Sequence, residues 1–295
     1  MQTGPANTRG TMTAIRSFVS GHPLVSYFAL TFAISWGALL VMIAHNGFPA
    51  TKDSLNAQLP VAILAMLAGP SASGIVMTGL VEGRAGFRKL LSRLLKWQVS
   101  GRWYAVALLV GPLSMTAAVL VALLLTSGLS VPRFFAPITD VPILLSGILG
   151  GVIVGICEEL GWTGFAVPRL RLRHNILTSG LILGVVWGGW HVLSNDIWAI
   201  HTYSGASSPT RTAITTGIGF LVGQLPPFRI VMVWVYDRTG SLLVAMLMHA
   251  SLTASTLILA RLAMSGALYG ILLAVSMWVV AATVIVTNRG ELTTR

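Results

Sequence analysis

Long apolar runs, separated by short polar and basic segments, set the hydrophobic pattern of this chain of 295 residues. Eight runs come close to the roughly 20 residues that a helix needs to cross a membrane. They lie at Leu24–His45, Leu59–Val81, Trp103–Thr126, Val141–Val167, Ile176–Asn195, Thr212–Tyr236, Leu242–Ala260 and Ala267–Thr287. The predicted fold class is therefore all-α, a polytopic membrane helix bundle with about eight transmembrane helices. Residues 1–20 are polar and predict a disordered tail, and residues 21–290 predict a single transmembrane bundle.

The composition supports a membrane protein and excludes several other classes. Hydrophobic residues make up 55% of the chain and charged residues only 9%, whereas a soluble domain carries about 25% charged residues. The net charge of +11 does not indicate a nucleic-acid partner, because the basic residues lie between the apolar runs. The single cysteine, Cys157, excludes an intrachain disulfide and a cysteine-rich metal site.

The loops between the runs alternate in charge, which predicts the orientation of the bundle. The two terminal segments and the second, fourth and sixth loops carry fourteen Lys and Arg, whereas the other four loops carry four. Under the positive-inside rule both termini are cytoplasmic, and an even number of helices requires the same. We therefore predict a multi-pass protein of the cell membrane. Between Phe87 and Trp97, leucines at helical spacing alternate with Lys and Arg, which predicts an amphipathic basic helix in the cytoplasmic headgroup layer.

Glycine recurs at every fourth position in two consecutive predicted helices, at residues 147–155 and at residues 180–188. Small residues at this spacing form a groove that lets two helices approach closely in lipid. Because only a short turn near Arg173–Asn175 separates the two helices, we expect them to pack as an antiparallel hairpin. Glu158 lies three residues after the last glycine of the first stripe, and His191 lies three residues after the last glycine of the second. Both lie at similar distances in sequence from the turn. We therefore expect them to face each other.

Ionisable side chains occur in three of the apolar runs at matched depth. Glu158 and Glu159 are adjacent in the fourth run, and an ionised side chain at the bilayer centre costs at least about 2.5 kcal/mol. His191 lies in the fifth run, and His249 lies in the seventh with Thr253 one turn later. Any one of these residues could serve only to hold helices together. Their combination in one layer near the cytoplasmic side favours a functional site.

Several chemistries use such a set of residues. A buried glutamate is a good general base for activating water, and imidazole can orient that water, protonate a leaving amine or donate to an oxyanion. Glutamate and two histidines could instead ligate zinc, although the chain contains no H-E-x-x-H run. Both routes predict hydrolysis of a peptide bond in or near the membrane. A proton relay in a transporter is a third use, but it predicts acidic residues spread along a path rather than concentrated in one layer.

Three short motifs resemble those of the CAAX prenyl protease and bacteriocin-processing family, also called the Abi family. E-E-L-G-W-T-G-F at Glu158–Phe165 is similar to its E-E-x-x-x-R-G motif, and W-G-G-W-H at Trp187–His191 is similar to its second motif. H-A-S-L-T at His249–Thr253 resembles the third, H-x-x-x-N, and W-V-Y-D-R-T-G-S-L-L at Trp234–Leu243 resembles the entry into that helix. The resemblance covers about residues 135–260, and the motif variants suggest a bacterial branch.

The resemblance implies an eight-helix intramembrane protease whose cavity opens to the cytoplasm and whose substrate is a peptide or a membrane protein. Glu158 would be the base that activates water, with His191 holding that water, and Glu159 would support the first glutamate. His249 would contribute to the oxyanion site, and Thr253 stands in the place of the motif's asparagine. The family has been described both as metalloproteases and as metal-free glutamate proteases. We expect no cofactor, with zinc as the alternative, and the oligomeric state is not predicted.

Two positions depart from the family pattern. Thr163 stands where the motif has arginine, and Thr253 stands where it has asparagine. The first change leaves Glu159 without its cation at i+4, so Glu159 is either protonated or paired elsewhere. Arg229, the one basic residue inside an apolar run, and Arg169 are the candidate replacements. Because of these departures, a catalytically silent membrane scaffold or a bacteriocin-immunity protein of the same family is the alternative function.

Overall fold

The computed structural model describes Ala14 and residues 17–47, 51–125, 138–194, 217–259 and 267–294. Within these residues the chain is helical, without strands, and eight helices are long and apolar enough to cross a membrane. The long helices are α1 (Pro23–Asn46), α2 (Lys52–Leu94), α3 (Gly101–Leu125), α4 (Val141–Glu159), α5 (Ile176–His191), α6 (Leu225–Thr239), α7 (Leu242–Leu259) and α8 (Ala267–Thr287). The predicted polytopic helical bundle is confirmed.

Shorter elements connect or extend the long helices. A π-helical segment, Trp162–Ala166, and a short helix, Val167–Arg171, continue the chain beyond α4. A second π-helical segment, Gly219–Gln224, leads into α6, and a short helix, Arg289–Thr293, follows α8. Of the predicted disordered tail at residues 1–20, Ala14 and residues 17–20 are helical, and residues 1–13 and 15–16 lie outside the described part of the chain.

Helix α2 is much longer than the predicted span Leu59–Val81, because the predicted basic helix of the second loop follows it without a separate connection. The joint lies at Gly83, whose φ of 58° and ψ of −145° break the helical path. A side chain would strain this backbone conformation, which glycine adopts readily. The basic segment after Gly83 therefore changes direction while remaining helical.

The glycine stripe of α4 packs against α7. A Cβ atom added at Gly155 would lie 2.6 Å from the carbonyl oxygen of Met246, and one added at Gly151 would overlap the carbonyl oxygen of Ala250. A Cβ atom added at Gly147 would likewise crowd the side chain of Ile258, further along the same two helices. Only glycine allows these two backbones to approach so closely. This contact brings the end of α4 that carries the glutamates beside the half of α7 that carries its histidine.

The glycine stripe of α5 packs against α6. A Cβ atom added at Gly180 would lie 2.6 Å from the Cα atom of Ile230, and Gly184 is equally close to Pro226. The predicted α4–α5 hairpin is therefore wrong, since each stripe serves a different partner and the two helices are not a closely packed pair. The physical reason is the connection, because a π-helical segment and a short helix lie between α4 and the turn that precedes α5.

Basic side chains gather at one end of the bundle, which we call the basic end. There the guanidinium of Arg93 donates to the Tyr236 hydroxyl at 2.9 Å and to the carbonyl oxygen of Gly164 at 3.0 Å. Arg171 pairs with Asp237 at 2.7 Å across the chain. These contacts tie the basic segment of α2 to the segment that follows α4 and to the end of α6.

The basic segment has one face buried against the bundle and one face exposed. Leu90 is buried against Leu242 and Met246 at the start of α7. Leu91 and Trp97 remain more than half exposed, beside the charged side chains. An exposed face of this kind suits the membrane headgroup layer that the sequence predicts.

Candidate active site

Glu158 lies in the last turn of α4, where two indole groups hold its carboxylate. The Nε1–H of Trp187 donates to Oε2 at 2.7 Å, and the Nε1–H of Trp162 donates to the same oxygen at 3.2 Å. The residue is only 3% exposed. Within the described part of the chain, Oε1 has no hydrogen-bond donor. One carboxylate oxygen is thus anchored while the other is left for a ligand.

The chain leaves α4 at Gly161, and this glycine lets Trp162 reach back to the carboxylate. A Cβ atom at Gly161 would overlap the carbonyl oxygen of Pro70 on α2 and the hydroxyl of Tyr27 on α1. The rings of Tyr27 and Trp162 also meet edge to face, 5.6 Å apart. The indole that donates to Glu158 is therefore fixed by packing against two neighbouring helices.

Glu159 is fully buried behind Glu158, and polar side chains contact its carboxylate. Arg229 places Nη1 3.0 Å from Oε1 and 2.9 Å from Oε2. The hydroxyl of Thr163 donates to Oε2, and Nδ1 of His249 lies 2.7 Å from Oε1. A buried carboxylate is tolerated when it is paired and hydrogen-bonded in this way. Glu159 therefore connects three chain segments and does not itself face the cavity.

Arg229 supplies the positive charge that is missing because Thr163 stands in the place of the motif's arginine. Its guanidinium is fully buried and lies over the ring of Trp187, with Cζ 4.2 Å from the ring centroid. Arg169, the other candidate from the sequence, instead pairs with Glu82 and donates to the carbonyl oxygen of Phe165. The charge that the family places on the same helix as the glutamates thus comes here from α6.

His249 is oriented by Glu159. Because an ionised carboxylate only accepts hydrogen bonds, the 2.7 Å contact requires that Nδ1 of His249 carries the proton. The imidazole also meets the ring of Trp187 edge to face at 5.0 Å and is 2% exposed. Its Nε2 atom is therefore the nitrogen that is free to act on a ligand.

His191 lies in the same region but does not bond to Glu158 as its position predicted. Its Nδ1 is 2.9 Å from the carbonyl oxygen of Trp187, one turn earlier on α5. The imidazole also stacks in parallel on Phe220, with 5.7 Å between the ring centroids. The group from α5 that contacts the Glu158 carboxylate is Trp187. His191 and Glu158 are held near each other through this one tryptophan.

A cavity of about 310 Å³ joins four of the five predicted site residues, namely Glu158, His191, His249 and Thr253. Trp187 and Trp190 also line it, together with apolar side chains of α2, α4 and α7. The fifth predicted residue, Glu159, is not part of the lining. The cavity places a carboxylate, two imidazoles and a hydroxyl around space large enough for part of a peptide.

Sequence reasoning missed the two tryptophans that hold Glu158. Trp162 lies four residues after Glu158, which puts its indole on the same face of the chain, and Trp187 lies four residues before His191. Both positions fall inside the recognised motifs. An indole has one N–H donor and no acceptor, so a tryptophan near an apolar carboxylate is a signal that the sequence contained.

The site residues do not fit a metal ion well. In the described ranges, no three His, Cys, Asp or Glu side chains converge as a bound metal requires. We therefore derive no chemical step through a metal.

Two comparisons with known proteins cover the part of the chain that carries this site. A family model described as type II CAAX prenyl endopeptidase Rce1-like matches residues 140–255, which include all five predicted site residues. The chain is also 26% identical over 241 residues to a protein named CAAX prenyl protease 2 from Methanococcus maripaludis, covering 76% of this chain and 80% of that protein. Neither match bears on the bacterial branch, which stays a prediction. The chain is thus similar to CAAX prenyl proteases over the part that carries the site.

Proposed function

We propose that this protein is an intramembrane endopeptidase that hydrolyses peptide bonds with water activated by Glu158. The observation that carries the proposal is that Glu158, His191, His249 and Thr253 come from three helices and line one cavity. Among the residues that the structure describes, only Oε2 of the glutamate is hydrogen-bonded to protein, so Oε1 is available to a water molecule.

In the proposed reaction Oε1 of Glu158 accepts a proton from water while the water oxygen forms a bond to the peptide carbonyl carbon. The carbonyl electron pair moves to the oxygen and gives a tetrahedral oxyanion. When the carbon–nitrogen bond breaks, the protonated Glu158 returns the proton to the leaving nitrogen. The products are a carboxylic acid and an amine, and Glu158 is regenerated.

The other lining residues have matching roles in this reaction. Nδ1–H of His191 donates to the Trp187 carbonyl, so its Nε2 accepts a hydrogen bond from the second O–H of the water. The hydroxyl of Thr253 donates to the oxyanion. His249, which is held through Nδ1 by the carboxylate of Glu159, donates to the oxyanion from Nε2 when that nitrogen carries a proton.

The orientation of the protein is also part of the proposal. Several basic side chains of the described chain meet at one end of the bundle, where Arg93 and Arg171 make their contacts. We place this end, and with it both termini, in the cytoplasm of the cell, with the bundle in the cell membrane. The substrate is a peptide or a segment of a membrane protein.

The silent-scaffold alternative loses part of its basis. It rested on the threonines at positions 163 and 253. Thr163 no longer implies a missing charge, since Arg229 pairs with Glu159 from another helix. Thr253 remains a departure, but its hydroxyl can donate one hydrogen bond. Hydrolysis is therefore the function that the geometry supports best.

The test is cleavage of a peptide library by the purified protein, read by mass spectrometry. We expect the wild-type protein to cleave a subset of peptides and Glu158→Gln to cleave none, because an amide cannot accept the proton. Glu82→Gln is the matched control, since Glu82 pairs with Lys89 and Arg169 outside the cavity. Cleavage by Glu158→Gln at the wild-type rate would refute the proposal. A folded wild-type protein that cleaves nothing would favour the scaffold.

A further inference from the structure

The cavity occupies the half of the bundle that lies away from the basic end. On α2 its lining falls within Leu59–Leu67, near the start of the helix, whereas the basic residues of that helix begin at Arg84. On α7 the lining falls within His249–Leu257, away from the turn that joins α6 to α7. At 1.5 Å per residue, each of these stretches extends about 12 Å along its helix.

Part of the cavity lining in this half of the bundle is exposed. On α2, Leu67 is 7% exposed close to the glutamate, whereas Ile63 and Leu59 are 46% and 39% exposed. On α7, His249 is 2% exposed and Leu257 is 45% exposed. Within the described chain, the cavity is therefore open where these exposed residues of α2 and α7 lie, in the half of the bundle remote from the basic end.

The opposite side of the glutamate layer is closed. Trp162, Phe165, Glu159 and Arg229 are all fully buried between Glu158 and the basic end. Beyond them, Arg93 bonds the π-helical segment to α6. A peptide approaching from the basic end would have to displace these aromatic rings and a buried ion pair.

We propose that the substrate reaches Glu158 from the extracytoplasmic side, as an apolar peptide segment. This inference rests on the proposed function and on the assignment of the basic end to the cytoplasm. It is opposite to the cytoplasmic opening that the family resemblance implies. The basic loops and the cavity mouth are at opposite ends of this bundle, so they cannot both face the cytoplasm.

The chemistry of the cavity wall indicates the class of peptide. The wall between the glutamate and the mouth is built mainly of aliphatic side chains, among them Leu59, Ile63 and Leu257. No Lys or Arg lines the cavity in the described ranges. An apolar stretch fits such a wall, whereas charged side chains would be buried there without partners. The substrate class is therefore an apolar, extracytoplasmic or outer-leaflet peptide segment.

Thiol labelling tests the side of access independently of catalysis. In a Cys157→Ser background, Thr256→Cys places one thiol in the cavity lining near its mouth, and Arg88→Cys places one on the exposed basic segment as the control. A charged, membrane-impermeant thiol reagent is applied to right-side-out membranes, to inverted vesicles and to detergent-solubilised protein. We expect the Thr256→Cys protein to be labelled in right-side-out membranes and in detergent. The Arg88→Cys protein should be labelled in inverted vesicles and in detergent.

Each other outcome overturns the inference. If both cysteines are labelled from the same face, the cavity opens to the side of the basic end. If the Thr256→Cys protein is labelled in detergent but in neither kind of sealed vesicle, or is not labelled at all, the mouth of the cavity is closed to water. A second arm supplies an apolar peptide to the wild-type protein in each kind of sealed vesicle, with cleavage expected only in right-side-out membranes. Loss of cleavage in both vesicles and in detergent, with the expected labelling, would contradict the proposed function alone.

Discussion

Replacing Arg229 by methionine tests whether its charge, rather than its bulk, maintains the site. Methionine keeps an unbranched apolar side chain, but the variant loses both contacts of Nη1 to Glu159, at 2.9 and 3.0 Å, and the cation over Trp187. Both members of the ion pair are fully buried. Removing one partner of a buried pair costs about 3–5 kcal/mol, because the other charge is left uncompensated. We expect a loss of this size in the free energy of unfolding.

A double-mutant cycle separates charge pairing from packing. Glu159→Gln should also destabilise the protein, since it leaves Arg229 buried without its carboxylate. In the double variant neither charge remains, so the combined loss should be smaller than the sum by at least about 2 kcal/mol. The assay is denaturant unfolding in detergent, followed by tryptophan fluorescence. Additive losses would refute the pairing as the source of stability.

Activity should also depend on the ion pair between Arg229 and Glu159. In Arg229→Met the carboxylate of Glu159 still accepts from Thr163 and His249, but nothing balances its charge. We expect kcat to fall more than KM changes, because His249 is held through Glu159 and acts on the oxyanion rather than on the bound peptide. A change in KM alone would place Arg229 outside the catalytic arrangement.

Three further changes probe separate parts of the structure. Trp187→Phe keeps a ring but removes the donor to Glu158, so kcat should fall about ten- to a hundredfold with KM nearly unchanged; equal kcat would show that the indole does not position the carboxylate. Thr253→Ala should lower kcat about a hundredfold by removing one oxyanion donor, and an unchanged kcat would remove Thr253 from that role. Gly151→Ala should lower the free energy of unfolding by about 1–3 kcal/mol through the close contact with α7, whereas Gly37→Ala, which meets no atom within 4 Å, should not; equal effects would refute the packing argument.

Much of the fold follows from the sequence, because a membrane restricts a chain to a few architectures. Apolar runs of about 20 residues can only be satisfied there as helices, so their number and approximate limits could be predicted. Which helices pack against each other could not be predicted. The stripes at residues 147–155 and 180–188 indicate that each helix has a close partner, but they do not indicate which one. The connection through residues 160–175 decides that question, and its π-helical segment has no clear sequence signal.

The candidate site was predictable in its members but not in its pairings. Ionisable residues in apolar helices are costly, which identified Glu158, His191 and His249 as a group. Spacing alone then suggested that Glu158 faces His191. In the structure a tryptophan stands between them, and His249 contacts Glu159 instead. Helical spacing reports which face a residue occupies, whereas a hydrogen bond also depends on side-chain length and on the crossing of the helices.

The position of Arg229 shows how a site can keep its physics while departing from its motif. The resemblance places an arginine four residues after Glu159, where one side chain would supply both a hydrogen bond and a charge. Here Thr163 supplies a hydrogen bond from that position, and the guanidinium of Arg229 supplies the charge from α6. The interaction of two charges depends on their separation and surroundings, not on which helix carries them. The glycine contacts at Gly180 and Gly184 bring α6 against α5, and the arginine thus lies over Trp187 and beside the glutamate. A missing motif residue therefore indicates lost function only when no neighbouring helix can deliver the same group.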